Sequence, residues 1–561
     1  MFIPITRKEV KQLGWNSLDI ILISGDAYID SSFNGTALIG KWLIKHGYKV
    51  AIISQPDILK PDDITKFGEP NLFWGISSGC VDSMVANYTP LRKFRNNDDF
   101  TPGGLNNRRP DRALIAYANL IRRYFKKTKP IVLGGIEASL RRLTHYDYWD
   151  NKLRRSILLD AKADILIYGM GEFAVLELAN ALQNCIDWKN IRGICFSSKE
   201  KNPEFIDLPS YNDTLSDKDK FIDMFKIFYD NTDPITAKGL QQLYDNGTYV
   251  IQNPPQPFPN ETQMDEIYSI EYERDLHPAL KKYGKVKALD TIKFSVTTHR
   301  GCYGECNFCA ITVHQGKIIS SRSEKSILRE IDEIIKHKDF KGIISDLGGP
   351  AANMYKIECN KKLSKGSCKE RRCLFPTSCK ALKINHSHII KLLERIRENK
   401  KIKKVFVASG IRYDMILNDK NNANKYLEDI IKYHTSGQLK IAPEHIEENI
   451  LNLMGKPEQK SLKYFKELFD KINQKYNLKQ YLTYYIIAAH PGCDLKNMNN
   501  LKSYMQKNLK HLPEQVQIFT PTPSTYSTLM YYTEKNPWTN EPIYVEKDNA
   551  KKQKQKDIIT K

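Results

Sequence analysis

With 561 residues the chain is too long for one ordinary domain, since domains average about 100–200 residues, and 86 Lys and Arg against 65 Asp and Glu give a formal net charge of +21. Eleven cysteines, an odd number with seven of them between Cys302 and Cys379, exclude a disulfide framework and call for a reducing compartment. Residues 1–10 have no apolar signal core and no stretch approaches membrane-spanning length, so a soluble cytoplasmic protein without a membrane partner is expected. The positive charge suits an RNA, DNA or phosphorylated partner, but lysine is spread along the whole chain, so RNA stays open without being favoured.

Residues 1–200 read as alternating strands and helices. Apolar runs at 18–23, 49–54, 72–76, 130–133, 164–167 and 191–194 suit strands, and 36–46, 113–125 and 173–182 have helical spacing. Such alternation predicts a doubly wound parallel sheet, with ligands beyond the carboxyl ends of its strands. There lie Ser24-Gly-Asp-Ala-Tyr-Ile-Asp30 and Gly134-Gly-Ile-Glu-Ala-Ser139. The opening unit resembles a cobalamin-binding, flavodoxin-like domain in outline. Tyr28 stands where such domains place their cobalt-ligating histidine, so the fold is carried over and the cofactor is not.

Residues 201–285 are richer in Asp, Asn and Pro, ending in Asn253-Pro-Pro-Gln-Pro-Phe-Pro259, and read as an extended connector. Six further strands are expected at 292–297, 342–346, 404–408, 438–442, 483–488 and 515–519, separated by helices. The first of these helices opens on a capping box, Ser321-Arg-Ser-Glu324, with Ile327, Leu328, Ile331, Ile334 and Ile335 as its apolar stripe. Residues 536–561 are lysine-rich and predicted to be a basic disordered tail. The expected domains are thus 1–200, the connector 201–285, a (β/α)6 unit at 286–535 and the tail.

Just after the first of those six strands comes Cys302-Tyr-Gly-Glu-Cys306-Asn-Phe-Cys309. Three soft thiolates on one loop converge on iron-sulfur or zinc. A cluster of four irons has four corners, so three cysteines leave one iron open. A zinc knot completed by a distant fourth ligand is the alternative, and its usual paired C-x2-C spacing is not this one. The C-x3-C-x2-C loop, with Phe308 before its third cysteine, resembles the signature of the radical S-adenosylmethionine (radical SAM) superfamily. The resemblance implies a 4Fe-4S cluster on Cys302, Cys306 and Cys309, an S-adenosylmethionine held at the open iron, a partial (β/α)6 barrel, and a reducing partner such as flavodoxin or ferredoxin.

It also implies further contacts at the strand ends. Ser345-Asp-Leu-Gly348-Gly349-Pro350 matches the glycine-rich turn set against the methionine amino group, while Ser409, Arg412 and Glu444 follow the third and fourth strands, where the superfamily hydrogen-bonds ribose and methionine. Arg412 and Glu444 paired with each other or with neighbours is an equal reading of those residues. Cys359, Cys368, Cys373 and Cys379 lie among six Lys and Arg in a C-x8-C-x4-C-x5-C pattern, where a zinc site, an auxiliary cluster and unligated thiols all stay open.

Longer stretches narrow the family. Gly134-Gly-Ile-Glu-Ala-Ser-Leu-Arg-Arg142 with His145-Tyr-Asp-Tyr148, Tyr168-Gly-Met-Gly-Glu172, Ala352-Asn-Met-Tyr355, and Phe519-Thr-Pro-Thr-Pro-Ser524 with Met530-Tyr-Tyr532 resemble the YgiQ-type radical SAM proteins from about residue 10 to 535. One departure is Ser524, where glycine is usual. The resemblance implies an enzyme that cleaves S-adenosylmethionine reductively. An RNA-modifying, methylthiotransferase-like enzyme and a non-catalytic iron-sulfur or electron-transfer protein are the rival readings. Glu137, Arg141, His145 and Asp147 sit near strand ends of the first domain, either for substrate or as internal ion pairs.

Overall fold

Apolar runs with no polar face need cover on both sides, and those of the amino-terminal half find it in a parallel sheet. The computed structural model describes residues 1–509, 512–513 and 516–561, in two compact units: 1–257 with 267–293, and 258–266 with 294–561. In the first unit β1 (Ile20–Ser24), β2 (Val50–Ser54), β3 (Phe73–Ser77) and β4 (Ile131–Gly134) are followed by a hairpin of β5 (His145–Asp147) and β6 (Lys152–Arg154), then β7 (Ile165–Ile167). β2, β1, β3, β4 and β7 are parallel neighbours in that order, the arrangement of flavodoxin-like sheets, whose topological switch falls between β1 and β3. The expected helix at 36–46 is Gly35–Lys45, capped where Asn34 accepts from the Thr36 and Ala37 amides.

The expected connector is largely built. β8 (Ile194–Ser198), β9 (Ile206–Leu208), β10 (Leu240–Tyr244) and β11 (Thr248–Gln252) extend the sheet to nine strands, with β8, β11 and β10 joined antiparallel and β9 parallel to β10. Between β9 and β10 the helices Tyr211–Ser216 and Lys218–Asp230 fold, the second burying Phe221, Phe225 and Phe228 on one face. Proline explains the difference. It is dense only from 254 to 259, which carries neither helix nor strand, whereas the acidic segment upstream hides an i, i+4, i+7 aromatic stripe among its charges.

In the second unit the strands come in the expected order, the fourth and fifth longer than expected and the others shorter or broken. Ser295–Thr297 pairs in parallel with Asp346–Gly348, Ile343–Ile344 with Lys404–Val405, Gln438–Glu444 with Tyr481–Ala488, and the end of the last with Gln517–Ile518. Residue 515, the expected start of the sixth strand, lies outside the described residues. A parallel bridge from Ile411 to Ile441 links the third step to the fourth. The first helix begins one turn-fraction later than its expected box, with Ser323 as its cap accepting from the Ser326 amide, and buries Ile327, Ile331 and Ile334. No helix among the described residues is long and apolar enough to cross a membrane.

The expected disordered tail is a helix, Asn549–Thr560. Its composition is polar on average, yet Lys552, Gln555 and Ile559 share one buried face. Gln555 accepts from the Ala489 amide at 2.8 Å and donates to the Cys493 carbonyl at 3.0 Å, while Lys552 donates to the Tyr531 hydroxyl at 2.9 Å. Gln555→Ala therefore strands two buried backbone groups. It should lower unfolding free energy by about 1–3 kcal/mol in chemical denaturation.

Candidate metal centre

A loop that offers three thiols to one cluster must be pinned along its length, because free thiols would scatter. Here the loop is tied at several points. The Cys302 amide donates to the Gly316 carbonyl (3.3 Å), the Cys309 amide to the Cys306 carbonyl (3.0 Å), and the Asn307 amide and side chain to the Met454 and Leu453 carbonyls (2.9 and 2.8 Å). The Ser527 amide in turn donates to the Asn307 carbonyl at 2.9 Å.

Two of the sulfurs already have N–H donors. The Gly304 amide reaches Cys302 Sγ at 3.3 Å and Arg412 Nη1 reaches Cys306 Sγ at 3.4 Å. Such donors stabilise thiolate sulfur and are a lever on cluster potential. The space at Gly304 is tight: a Cβ on it would lie 3.0 Å from Arg412 Nη1, 3.2 Å from Cys302 Sγ and 3.6 Å from Cys306 Sγ. With no metal, burial and the neighbouring Cys306 push the Cys302 thiol up to about 11 and the Cys309 thiol up to about 12. Coordination to iron reverses that preference, since the ligand is the thiolate. Among the described residues no three His, Cys, Asp or Glu side chains meet on a point as ligands of a single ion do. A cuboidal cluster takes one thiolate per iron corner, and Cys302, Cys306 and Cys309 are half-buried free thiols of one loop.

The other expected site residues fall around this loop within the second unit. Phe308 is half-buried and meets the His490 ring edge-on at 6.4 Å. Gly348 and Gly349 end the second strand, and Gly349 lies so close to His299 that a Cβ would be 2.7 Å from its Cε1 and Nε2. Ser409 donates its hydroxyl to Asp346, whose other oxygen accepts the Ala408 and Ser409 amides. Arg412 forms a bidentate pair with Asp414 at 2.6 and 2.8 Å while its remaining nitrogen faces Cys306. Arg412 and Glu444 thus do not pair with each other. Glu444 sits in a left-handed backbone conformation (φ 67°), and burial raises its carboxyl against the pull of Lys456 and Arg412.

Four neighbours escaped the sequence reading: His299, Asp346, Asp414 and His490. His299 and His490 lie just past the carboxyl ends of strands, the signal that could have found them, whereas Asp346 opens a strand and Asp414 lies in the helix Tyr413–Asn418. His490 donates Nδ1–H to the Pro491 carbonyl (2.8 Å) and accepts from Ser527 (2.7 Å), and burial lowers it to about 4, so it is neutral. His299 is lowered to about 4 by burial too, with Nδ1 at 2.8 Å from the Thr298 hydroxyl.

Elsewhere the residues find internal partners. Cys359 and Cys373 are buried in an apolar cluster with Tyr303, Ile319, Met354 and Met415, Cys379 packs against it, and Cys368 is not part of it. In the first unit Arg141 pairs with Asp82 at 2.6 Å, Glu137 accepts the Ser83 amide at 2.8 Å, and Arg112 pairs with Asp147 at 2.9 Å. Burial opposes the Asp147 carboxylate, but Arg141 and Arg112 overcome it and bring it to about 2. Burial and Arg141 lower His145 to about 4. Arg141 and Asp147 are thus ion-paired within the unit, while Glu137 is held by a backbone amide and His145 Nδ1 lies 3.0 Å from the Leu143 carbonyl.

Strand order, the cysteine loop and the glycine turn together define a radical SAM protein. The chain matches the Radical SAM N-terminal family over residues 2–295 and a domain of unknown function, DUF3362, over residues 514–560. It is 61% identical over 560 residues to a UPF0313 protein of Fusobacterium nucleatum and 46% identical over 562 residues to one of Thermotoga maritima, covering 100% of this chain and 98% of each relative. The chain belongs to the UPF0313 family and is a radical SAM enzyme.

Solved structures with a similar fold include TsrM, a radical S-adenosylmethionine methyltransferase from Kitasatospora setae with cobalamin and a 4Fe-4S cluster bound. The TM-score is 0.52 at 12% identity, covering 91% of this chain and 77% of TsrM. A second is OxsB, a cobalamin-dependent S-adenosylmethionine radical enzyme, at TM-score 0.50 and 13% identity, covering 94% and 57%.

The Gly304 geometry generates a direct test. Gly304→Ala pushes a methyl between Arg412 and two ligand sulfurs, so iron bound per chain after anaerobic reconstitution should fall to less than about half of the parent value. Iron and sulfide analysis beside a circular-dichroism spectrum separates this from misfolding.

Proposed function

We propose that this protein reductively cleaves S-adenosylmethionine at a 4Fe-4S cluster held by Cys302, Cys306 and Cys309. The observation that carries the reading is a loop with three thiols, two of them with N–H donors on sulfur, that leaves one cluster corner without a protein ligand. When bound, the cluster supplies one electron to the sulfonium, releasing methionine and a 5'-deoxyadenosyl radical. The chain's own residues bind and orient the cosubstrate. The Gly348-Gly349 turn would receive the methionine amino group, Phe308 would meet the adenine, and Glu444 would accept from ribose hydroxyls. Ser409 and Arg412 act differently: Ser409 fixes Asp346 at the start of the strand Asp346–Gly348 and Arg412 holds Cys306. The parallel pairing of successive strands supports a partial (β/α)6 barrel, with all these groups at its carboxyl-end mouth.

The electron comes from a small one-electron donor such as flavodoxin or ferredoxin, in the cytoplasm, where eleven free thiols persist. The amino-terminal unit shares its fold with cobalamin enzymes and is read as free of cobalamin. Tyr28 is buried and its hydroxyl accepts the Ile3 amide and donates to Asp30 (2.7 Å). At the β1–β3 switch Arg109 fills the strand ends, donating to the Ser78 carbonyl (2.6 Å) and pairing with Asp26 (2.7 Å) and Asp98 (3.0 Å).

Anaerobic turnover of the reconstituted, dithionite-reduced protein should release 5'-deoxyadenosine. Cys306→Ser replaces a soft thiolate by a hard, poorly ionised ligand and should abolish that release, while far-ultraviolet circular dichroism stays close to the parent's. Undiminished cleavage by the serine variant sinks the assignment. A cluster that is reduced yet never cleaves S-adenosylmethionine marks an electron carrier instead, and stimulation of cleavage by RNA favours an RNA-modifying enzyme.

A further inference from the structure

Glu305, between Gly304 and the ligand Cys306, is a buried carboxylate in a left-handed backbone conformation (φ 46°). Non-glycine residues pay for that region and keep it only where their surroundings enforce it. Two of the enforcing groups come from the cysteine-rich segment. Lys362 Nζ pairs with the Glu305 carboxylate at 2.9 Å and donates to the Lys317 carbonyl at 3.1 Å, and Lys317 Nζ stands 3.8 Å from the same carboxylate. Arg372 Nη1 donates to the Glu305 carbonyl at 2.8 Å. Side chain and main chain of one loop residue are thus gripped by two cations of one segment.

The cysteines explain how that segment is held. Cys359 directly precedes the helix Asn360–Lys365 that carries Lys362, and Cys373 directly follows Arg372. Both thiols are buried in the apolar cluster that includes Tyr303, one residue from Cys302. Buried cysteine packs as a small hydrophobe. Lys362 also lies over the Tyr303 ring, 5.5 Å from its centroid.

We propose that the cysteine-rich segment is a brace for the catalytic loop: Lys362 and Arg372 are positioning residues that fix Glu305 and, through the peptide that follows it, the direction of Cys306. The cluster-based part of the test rests on the proposed function; the loop geometry does not. A loop without its brace keeps all three thiols but loses their fixed placement, and second-sphere charge near a cluster moves its potential.

The experiment uses the full chain with Lys362→Met, Lys362→Arg and Arg372→Met. In metal-free protein, hydrogen exchange over residues 303–307 should quicken at least about tenfold in Lys362→Met and Arg372→Met, with exchange in the first unit unchanged, and Lys362→Arg should stay close to the parent. After reconstitution, Lys362→Met should bind less than about half the parent's iron, and what binds should have a more negative midpoint potential, since a cation facing the loop is gone. Arg372 is half-buried, so its variant keeps the test alive if Lys362→Met fails to fold. Unchanged loop exchange in Arg372→Met, or a Lys362→Arg protein as loose as Lys362→Met, overturns the brace. If the parent itself takes up no cluster the proposed function fails, and the exchange data still decide the brace.

Discussion

Three thiolates must be presented to four irons by eight residues of backbone, and the open corner has value only if the other three are rigidly placed. Much of the second unit answers to that demand. The first strand delivers the loop, Gly316 and residues 453–454 tie it down, and the amide of Ser527 holds its middle. Sulfur in a low-dielectric mouth also needs donors, which the Gly304 amide and Arg412 supply. Arg412 comes with its own carboxylate, Asp414, so the guanidinium is oriented without leaving an unpaired buried charge.

The same economy recurs away from the cluster. Asp26 and Asp98 are buried with Arg109 beyond β1 and β3 of the first unit, and Asp82 is buried with Arg141, so each of these carboxylates faces an arginine. A flavodoxin-like sheet ordinarily reserves that crevice for a ligand. In this chain Arg109, paired with Asp26 and Asp98, lies at the ends of those strands, and a shared fold does not by itself carry over a shared ligand.

Strand positions in both halves were legible because continuous apolar runs and their spacing report burial directly, as at 18–23 and 483–488. The cysteine loop was legible for a different reason: ligand spacing is local, so three thiols in eight residues survive without knowledge of the fold. Residues 201–252 and the tail helix were misread because their buried faces are narrow and charge dominates the average. Phe221, Phe225 and Phe228 share a helix with three Asp and three Lys, and Gln555 is a polar residue whose burial no hydropathy pattern signals. Partner choice was least legible. Ser409 and Arg412 stand at the strand ends where expected, yet the identity of their partners, Asp346 and Asp414, depends on strand-to-strand register and on a neighbour two residues away.

The account's central claim is that one iron is left for S-adenosylmethionine by the loop of Cys302, Cys306 and Cys309. Electron–nuclear double resonance on the reduced cluster with S-adenosylmethionine labelled with nitrogen-15 at the methionine amino group tests it most directly. The account predicts a hyperfine coupling from that nitrogen, present in the parent protein and lost with unlabelled cosubstrate. A fully reduced cluster in the presence of saturating labelled cosubstrate, with no coupling to the amino nitrogen, contradicts it.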